Sequence, residues 1–508
     1  MLLNGGQVLT ERAKISARLE AWIDSDTGER LSFAEANART NQLAHVLLAR
    51  GLAPGDRVGV LMGNTPLHAS AYFACAKAGF VFVALNWRLT VAELAYQLAD
   101  SGASAVLYGA DLAQLVEPLR EQFPQVRWID ADSREMHAAM AGAPTREPPI
   151  GASLEDPLYM MYTSGTTGRP KGAVMSHRAN IAWLNCMLAT SDVRLGDRQI
   201  TVAPLFHIAG LGMLMAAAAR GMTTMLVRQF EPGLMWDLIE REKVTCLLGV
   251  PAILNFMYAH PKRQTADTST LRWIVCGAAP VPVSLIQGYA AMGIEVHQVY
   301  GLTETHGGIC LITPEYARHK VGSTGLPYFG IEVRVVDKAG ADVPPGIPGE
   351  VITRGPHLIS GYWNQPEATK EAIRDGWFYT GDIAEVDADG FIYIKDRSKD
   401  MIISGGENVY PAEVEEVLHA HPAVRDVGVI GQPSAKWGES ACAVIVKDPS
   451  WTGSDADLVA ALQQHVQERL ARYKQPKRYE FIDVLPRNPS GKILKRVLRE
   501  QFPGPAPE

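Results

Sequence analysis

The chain has 508 residues, 47% apolar and 20% charged, with a net charge of −7. At about 100–200 residues per domain that length implies two to four units, and the composition excludes a disordered, collagen-like or disulfide-scaffold protein. The acidic balance gives no global attraction to nucleic acid or an anionic membrane, so a polyanionic ligand has to be held by local positive charge.

The N-terminal stretch lacks the basic start and apolar run of a signal peptide, and the six cysteines are scattered without zinc-like spacing. Both features predict a reducing, cytoplasmic setting. Short β-branched runs at Arg57 to Met62, Ser104 to Tyr108, Thr223 to Val227 and Trp273 to Cys276 alternate with helical patterns at Ser32 to Arg50, Leu67 to Ala78 and Pro232 to Glu242. Such alternation is the layout of parallel α/β units. The apolar stretch Ile208 to Ala219 is closed by His207 and Arg220. It is too short to span a bilayer, which takes about 18–20 residues, and reads as a core helix.

From Ile331 to Lys395 the texture changes to strands and turns, entered at one point through the Asp389–Gly390 turn signal. A further boundary is expected at residues 396–400, followed by a compact α/β pattern that begins with a helix at Pro411 to Leu418. The predicted fold is therefore α/β: a large N-terminal domain of layered subdomains over residues 1–395, one of them small and β-rich, and a small mobile α+β domain over 401–508. The run Arg472 to Arg499 carries nine Lys or Arg against Glu480 and Asp483. It reads either as a solvated basic face or as a site for phosphates.

The most informative segment is YTSGTTGRPKG, Tyr162 to Gly172, which follows a strand-like run. Gly165, Gly168 and Gly172 let the backbone turn tightly and aim N–H groups at an anion. Thr163, Ser164, Thr166 and Thr167 add hydroxyls and Lys171 adds charge, so the loop suits phosphate oxygens. It is not a Walker A loop, because Lys171 does not directly follow a glycine and no Ser or Thr follows it.

This string resembles the signature loop of the adenylate-forming superfamily, which comprises acyl-CoA synthetases, peptide-synthetase adenylation domains and luciferases. The resemblance recurs in the family's order at PLFHIAGL (204–211), GAAP (277–280), YGLTET (300–305), YTGD (379–382), DRSKDMIISGGENVYPAEVE (396–415) and PRNPSGKILK (486–495). It implies that Tyr300 and Gly301 meet the adenine, with Gly277, Ala278 and Ala279 allowing close approach. Thr303 would bind the α-phosphate and Glu304 would hold Mg²⁺ on ATP. Asp382 would take the ribose hydroxyls, with Arg397 assisting, and Lys492 would reach the carboxylate and α-phosphate in the first half-reaction.

The resemblance also implies a second half-reaction with CoA. The C-terminal domain would swing about Lys399 to bring Ser404, Gly405, Gly406 and Glu407 beside a pantetheine tunnel. Trp437, Tyr473 and Lys474 match positions that meet the nucleotide end of CoA in aryl-CoA ligases, whereas Gln475 departs from relatives that carry a basic residue there. His207 matches an aromatic that gates or lines the acyl pocket, although a satisfied core histidine is the alternative. His207, Gly210, Leu211, Gly249, Val250, Gly307 and Gly308 form the expected acyl pocket, with Gly210, Gly212, Gly307 and Gly308 leaving room for the tail.

No aspartate stands in PLFHIAGL to pair with an amine, which disfavours amino-acid substrates, and the absence of fixed charge disfavours dicarboxylates. The strings LGVPAILNFM and KDMIISGGENVYPAEVE look most like bacterial fatty-acid-CoA ligases, with feruloyl and coumaroyl ligases close behind. The expectation is a medium-to-long-chain fatty acid, the alternative an aryl-propenoate. A remoter alternative is an inactive CoA- or nucleotide-binding protein, whose expected mark, a broken Lys492 or Glu304, is not seen. Peripheral contact with a bilayer and a homodimer stay open.

Overall fold

A computed structural model describes residues 4–163, 170–279, 281–397, 400–404, 407–434, 437–488 and 491–504. It is a mixed α/β structure with a large N-terminal part and a smaller C-terminal domain. Helix boundaries follow from local chemistry. Ser32 and Glu35 close a reciprocal capping box before Phe33–Ala49, and Thr90 and Glu93 do the same before Val91–Ser101. Thr65 caps Pro66–Ala78, whose proline sits where no helical N–H is needed, and Gly79 ends that helix in the left-handed region.

Two large sheets carry the N-terminal part. In one, five strands run parallel: Glu20–Asp24, Thr223–Leu226, Arg198–Thr201, Cys246–Gly249 and Trp273–Cys276. Strand Glu295–Leu302 joins them in parallel at its start, then pairs antiparallel with Gly307–Leu311. In the other, Arg57–Leu61, Val81–Ala84, Ala105–Tyr108, Arg127–Asp130 and Pro157–Thr163 are parallel, closed by antiparallel Lys171–Ser176. Their apolar runs are buried on both faces, as parallel sheets require. The Ile208–Arg220 helix packs in this core with Gly210 to Ala218 buried. Among the described residues no helix is long and apolar enough to cross a membrane.

The β-rich region forms an antiparallel sheet of Glu332–Val336, Gly349–Arg354, Trp377–Val386 and Ile392–Arg397, with Ile373–Arg374 at its edge. The C-terminal sheet is built on a long hairpin, Val424–Ser434 with Gly438–Lys447, and its core includes Val414, Leu418 and Leu462. The basic run is largely paired: six of its nine cations, Lys474, Arg478, Arg487, Lys495, Arg496 and Arg499, lie in ion pairs. Several of its partners, such as Glu413 and Asp426, are distant in the chain and escape a local reading.

His68, His177, His306 and His357 are buried, and burial pushes His68, His177 and His357 down to about 4 and His306 to about 3. In the unfolded chain each takes up a proton near pH 6.5; in the fold each stays neutral. Their stability contribution is therefore complete above pH 6.5 and declines below it by about 1.4 kcal/mol per pH unit per histidine until the folded-state value is reached. Calorimetry should show Tm falling between pH 7 and pH 5, above the range where carboxylates titrate; a flat Tm there would contradict this.

Candidate active site

The site candidates converge because they lie at the carboxyl ends of parallel strands, where open α/β sheets form their crevices. Thr163 ends one strand, Gly249 another, Gly277 to Ala279 follow a third, and Tyr300 to Leu302 complete a fourth, with Thr303 opening the turn after it. The two ends of the phosphate-loop candidate pair as antiparallel strands: Thr163 with Lys171 and Tyr162 with Gly172. Ser164, Gly165, Thr166, Thr167 and Gly168 lie outside the described residues.

Glu304 is buried in the short turn after Tyr300 and Gly301. Its Oε1 accepts from the Thr163 hydroxyl at 3.3 Å and from the Tyr362 hydroxyl at 2.9 Å. Lys171 Nζ lies 5.1 Å from the Tyr362 ring centroid, within cation–π range. Tyr362 is absent from the sequence-derived candidates; its role comes from pairing with Ala173 beside the hairpin, which no local pattern announces. This carboxylate among hydroxyls is a set of hard oxygen donors that suits Mg²⁺ on a triphosphate.

Tyr300 and Asp382 come together across two sheets: the phenol donates to Asp382 Oδ2 at 2.8 Å, both residues being buried. Burial, then the Asp382 charge, raises the Tyr300 phenol well above its usual value, so it remains a donor. Asp382 is held by the Thr380 hydroxyl at its N–H, 3.1 Å, and strand register sets Arg397 opposite it. The Arg397 side chain lies outside what is described. Two backbone features narrow this crevice. Ala278 takes φ +68°, a strained choice for a non-glycine residue, and a Cβ at Gly301 would collide with the Gly307 carbonyl.

The acyl-pocket candidates gather around helix Ile208–Arg220, whose entry loop is fixed by Asn64. Asn64 Nδ2 lies 3.0–3.2 Å from the carbonyls of Thr201, Ala203 and Val227, and Oδ1 accepts the Leu205 N–H at 2.9 Å. His207 follows, with its Nε2 buried and without a hydrogen-bond partner among the described residues. Burial, reinforced by Arg88, pushes its ring down to about 4, so it is neutral at pH 7.

Room at the glycines differs from expectation. A Cβ at Gly210 would run into the Ala203 and Pro204 carbonyls, one at Gly308 into the Tyr328 hydroxyl, and one at Gly249 would lie 2.9 Å from Leu254. These glycines permit close packing rather than open space. At Gly212 and Gly307 the neighbour is Trp183: an added Cβ would lie 3.2 Å and 3.4 Å from its indole. That ring is buried and pinned by its N–H donating to the Gly308 carbonyl at 2.9 Å. Trp183 therefore fills the volume two of the glycines vacate; on a helix with many apolar neighbours, nothing local singled it out.

Lys492 sits in a hairpin closed by Asn488, whose carbonyl accepts the Gly491 N–H and whose Oδ1 accepts the Lys492 N–H, both at 2.8 Å. A Cβ on Gly491 would lie 3.2 Å from Val250 Cγ2, so the hairpin rests against one of the acyl-pocket candidates. The CoA candidates are elsewhere in the C-terminal domain. Ser404 pairs with Gly438 next to half-exposed Trp437, while Lys474 is tied to Glu413 at 2.7 Å and Tyr473 is half-exposed. Lys399, Gly405 and Gly406 lie outside the described residues, as does the Glu407 side chain.

The AMP-binding enzyme family matches residues 9–363 and its C-terminal domain matches 413–492. The chain belongs to this family. It is 43% identical over 99% of its length to all of the long-chain-fatty-acid–CoA ligase FadD13 of Mycobacterium tuberculosis. A feruloyl-CoA synthase from an Amycolatopsis species is 44% identical over 94% of each chain. Among solved structures, ATP-bound MatB from Rhodopseudomonas palustris superposes with TM-score 0.91 at 32% identity, covering 99% of both chains.

Replacing Tyr362 by Phe should remove one of the two donors that orient Glu304. Acid-dependent pyrophosphate release should fall about tenfold with a raised Mg²⁺ requirement, as expected for a lost hydrogen bond to a charged group. An unchanged Mg²⁺ titration would contradict that role.

Proposed function

We propose that this protein is an AMP-forming acid–CoA ligase acting on a carboxylic acid with an uncharged apolar tail. The observation that carries this is the convergence of Glu304, Tyr300, Asp382 and the Lys492 hairpin on one crevice whose acyl side carries neutral His207. The family match and the CoA-ligase relatives support the same reading.

The acid's carboxylate oxygen attacks the ATP α-phosphorus in line, the bond to the bridging oxygen breaks, and pyrophosphate leaves. Two anions must meet, so the Lys492 ammonium is the group that neutralises them. Mg²⁺, held by Glu304, would supply further charge neutralisation on the phosphates. Asp382 and Tyr300 orient the nucleoside, and Arg397 assists at the ribose. The CoA sulfur then attacks the acyl carbonyl and AMP departs, with Ser404 to Glu407, Trp437, Tyr473 and Lys474 meeting CoA after the domain turns about Lys399.

For the acid, a medium-to-long-chain fatty acid is the reading that the likeness to FadD13 supports. A second reading, an aryl-propenoate or similarly compact acid, is favoured by one observation: the Trp183 indole occupies the space beside Gly212 and Gly307. Mass analysis of thioesters formed from Mg²⁺, ATP, CoA and a pool of alkyl and aromatic acids separates the two. A ladder of alkyl-CoA products supports the first, aryl-CoA alone the second, and no acid-dependent AMP would overturn the ligase reading.

Lys492→Ala should lower adenylation about 10²–10³-fold while sparing thioester formation from supplied acyl-adenylate, the scale seen when one preorganised transition-state donor is removed. Equal loss of both half-reactions would count against its assignment. Trp183→Ala should shift kcat/KM toward longer or bulkier acids by about tenfold or more; an unaltered acid profile would remove the indole from the specificity argument.

A further inference from the structure

Between strand Ile392–Arg397 and the C-terminal sheet, a group of buried charges brackets residues 396–400. Asp396 belongs by strand pairing to the N-terminal part, its register partner being Ile383. Its carboxylate nevertheless faces the C-terminal domain, where Oδ2 accepts the Ala412 N–H at 3.0 Å. Lys495 stands at the start of the last helix, three residues beyond Lys492. Its Nζ lies 3.0 Å from Glu415 Oε1 and 3.7 Å from Asp396 Oδ2, with all three side chains largely buried. Glu415 is in turn anchored to its own domain, accepting the Val429 N–H at 2.8 Å. One helical turn after Lys495, Arg499 pairs with Asp400 at 2.9 Å.

The two ends of this arrangement differ. Asp400 follows Lys399 in sequence, so in a rotation about Lys399 the Arg499–Asp400 pair travels with the C-terminal domain. Asp396 precedes Lys399 and stays behind. The Lys495–Asp396 contact and the Ala412–Asp396 hydrogen bond are therefore the ones that cannot survive the turn. They hold while the Lys492 hairpin rests on Val250. Opposite charges attract with less screening in a buried setting, and a contact that must break on rotation biases the equilibrium between the two arrangements.

We propose that Lys495 is a positioning residue for adenylation: by bridging Glu415 of its own domain to Asp396 across the turning point, it latches the arrangement that presents Lys492 to the acid and ATP. This rests on the ligase reading and on Lys399 as the pivot. Lys495 retains its charge despite burial because Glu415, Asp396 and Asp400 surround it.

The test measures the half-reactions separately in the full-length protein: acid-dependent pyrophosphate release for adenylation, and thioester formation from supplied acyl-adenylate and CoA. Lys495→Gln should slow adenylation about tenfold, the effect of losing a charge-assisted contact, and leave thioester formation equal or faster. Asp396→Asn should reproduce the pattern without leaving Glu415 unpaired, and Lys495→Arg should restore adenylation. Amide exchange at Ala412 should accelerate in Lys495→Gln, reporting the opened latch directly. The Lys495→Gln, Glu415→Gln double variant removes the buried unpaired acid, so a folding defect in the single variant is distinguished from a lost latch. Equal loss of both half-reactions in the folded double variant, or unchanged adenylation in Asp396→Asn, would overturn the proposal. A wild-type protein that makes no thioester with any acid would instead overturn the ligase reading.

Discussion

The hydroxyl of Tyr300 and the carboxylate of Glu304 lie at the two ends of a five-residue segment, and through them three sheets are joined. Tyr300 continues the nine-stranded sheet and reaches Asp382 of the β-rich sheet, while Glu304 meets Thr163 and Tyr362 of the seven-stranded one. Each contact buries a charged group against a hydroxyl donor, an arrangement that is costly to leave unmatched and therefore strongly specifies the relative placement of the sheets. The crevice exists because these contacts fix three independent layers around a single turn. The close backbone approach at Gly301 and the left-handed Ala278 follow from the same crowding.

Much of this framework was legible in the residues. Alternating β-branched and amphipathic runs gave the parallel layers, and the helical patterns begin within a residue of the helices: Ser32 for Phe33–Ala49, Pro232 for Pro232–Arg241. The motif strings fall on strand ends, where backbone geometry opens a crevice whatever the side chains. Tyr362, Asn64 and Trp183 were illegible, since each acts through partners more than a hundred residues away apart from Tyr362, whose partner Glu304 is still 58 positions distant. The glycines misled for a related reason. Sequence cannot say whether a missing side chain makes room for substrate or for a neighbour, and here the Pro204 carbonyl, Tyr328 and Trp183 take most of the space.

Charge along the chain left two readings open for the cation-rich C-terminal run, and the fold ties most of its cations to acids, several of them in distant elements. Ile403 and Trp437, which flank the Ser404–Gly438 pairing, are exposed apolar side chains of that domain.

Asn64 has a further consequence. One side chain commits both its amide nitrogen and its oxygen to the backbone of the segment leading to His207 and to the neighbouring strand end. A loop held in this way cannot lengthen or shift without stranding several buried carbonyls at once. Variation along this segment is thereby channelled: a descendant of this chain can change the bulk of side chains such as Trp183 or His207 while the backbone path stays as it is.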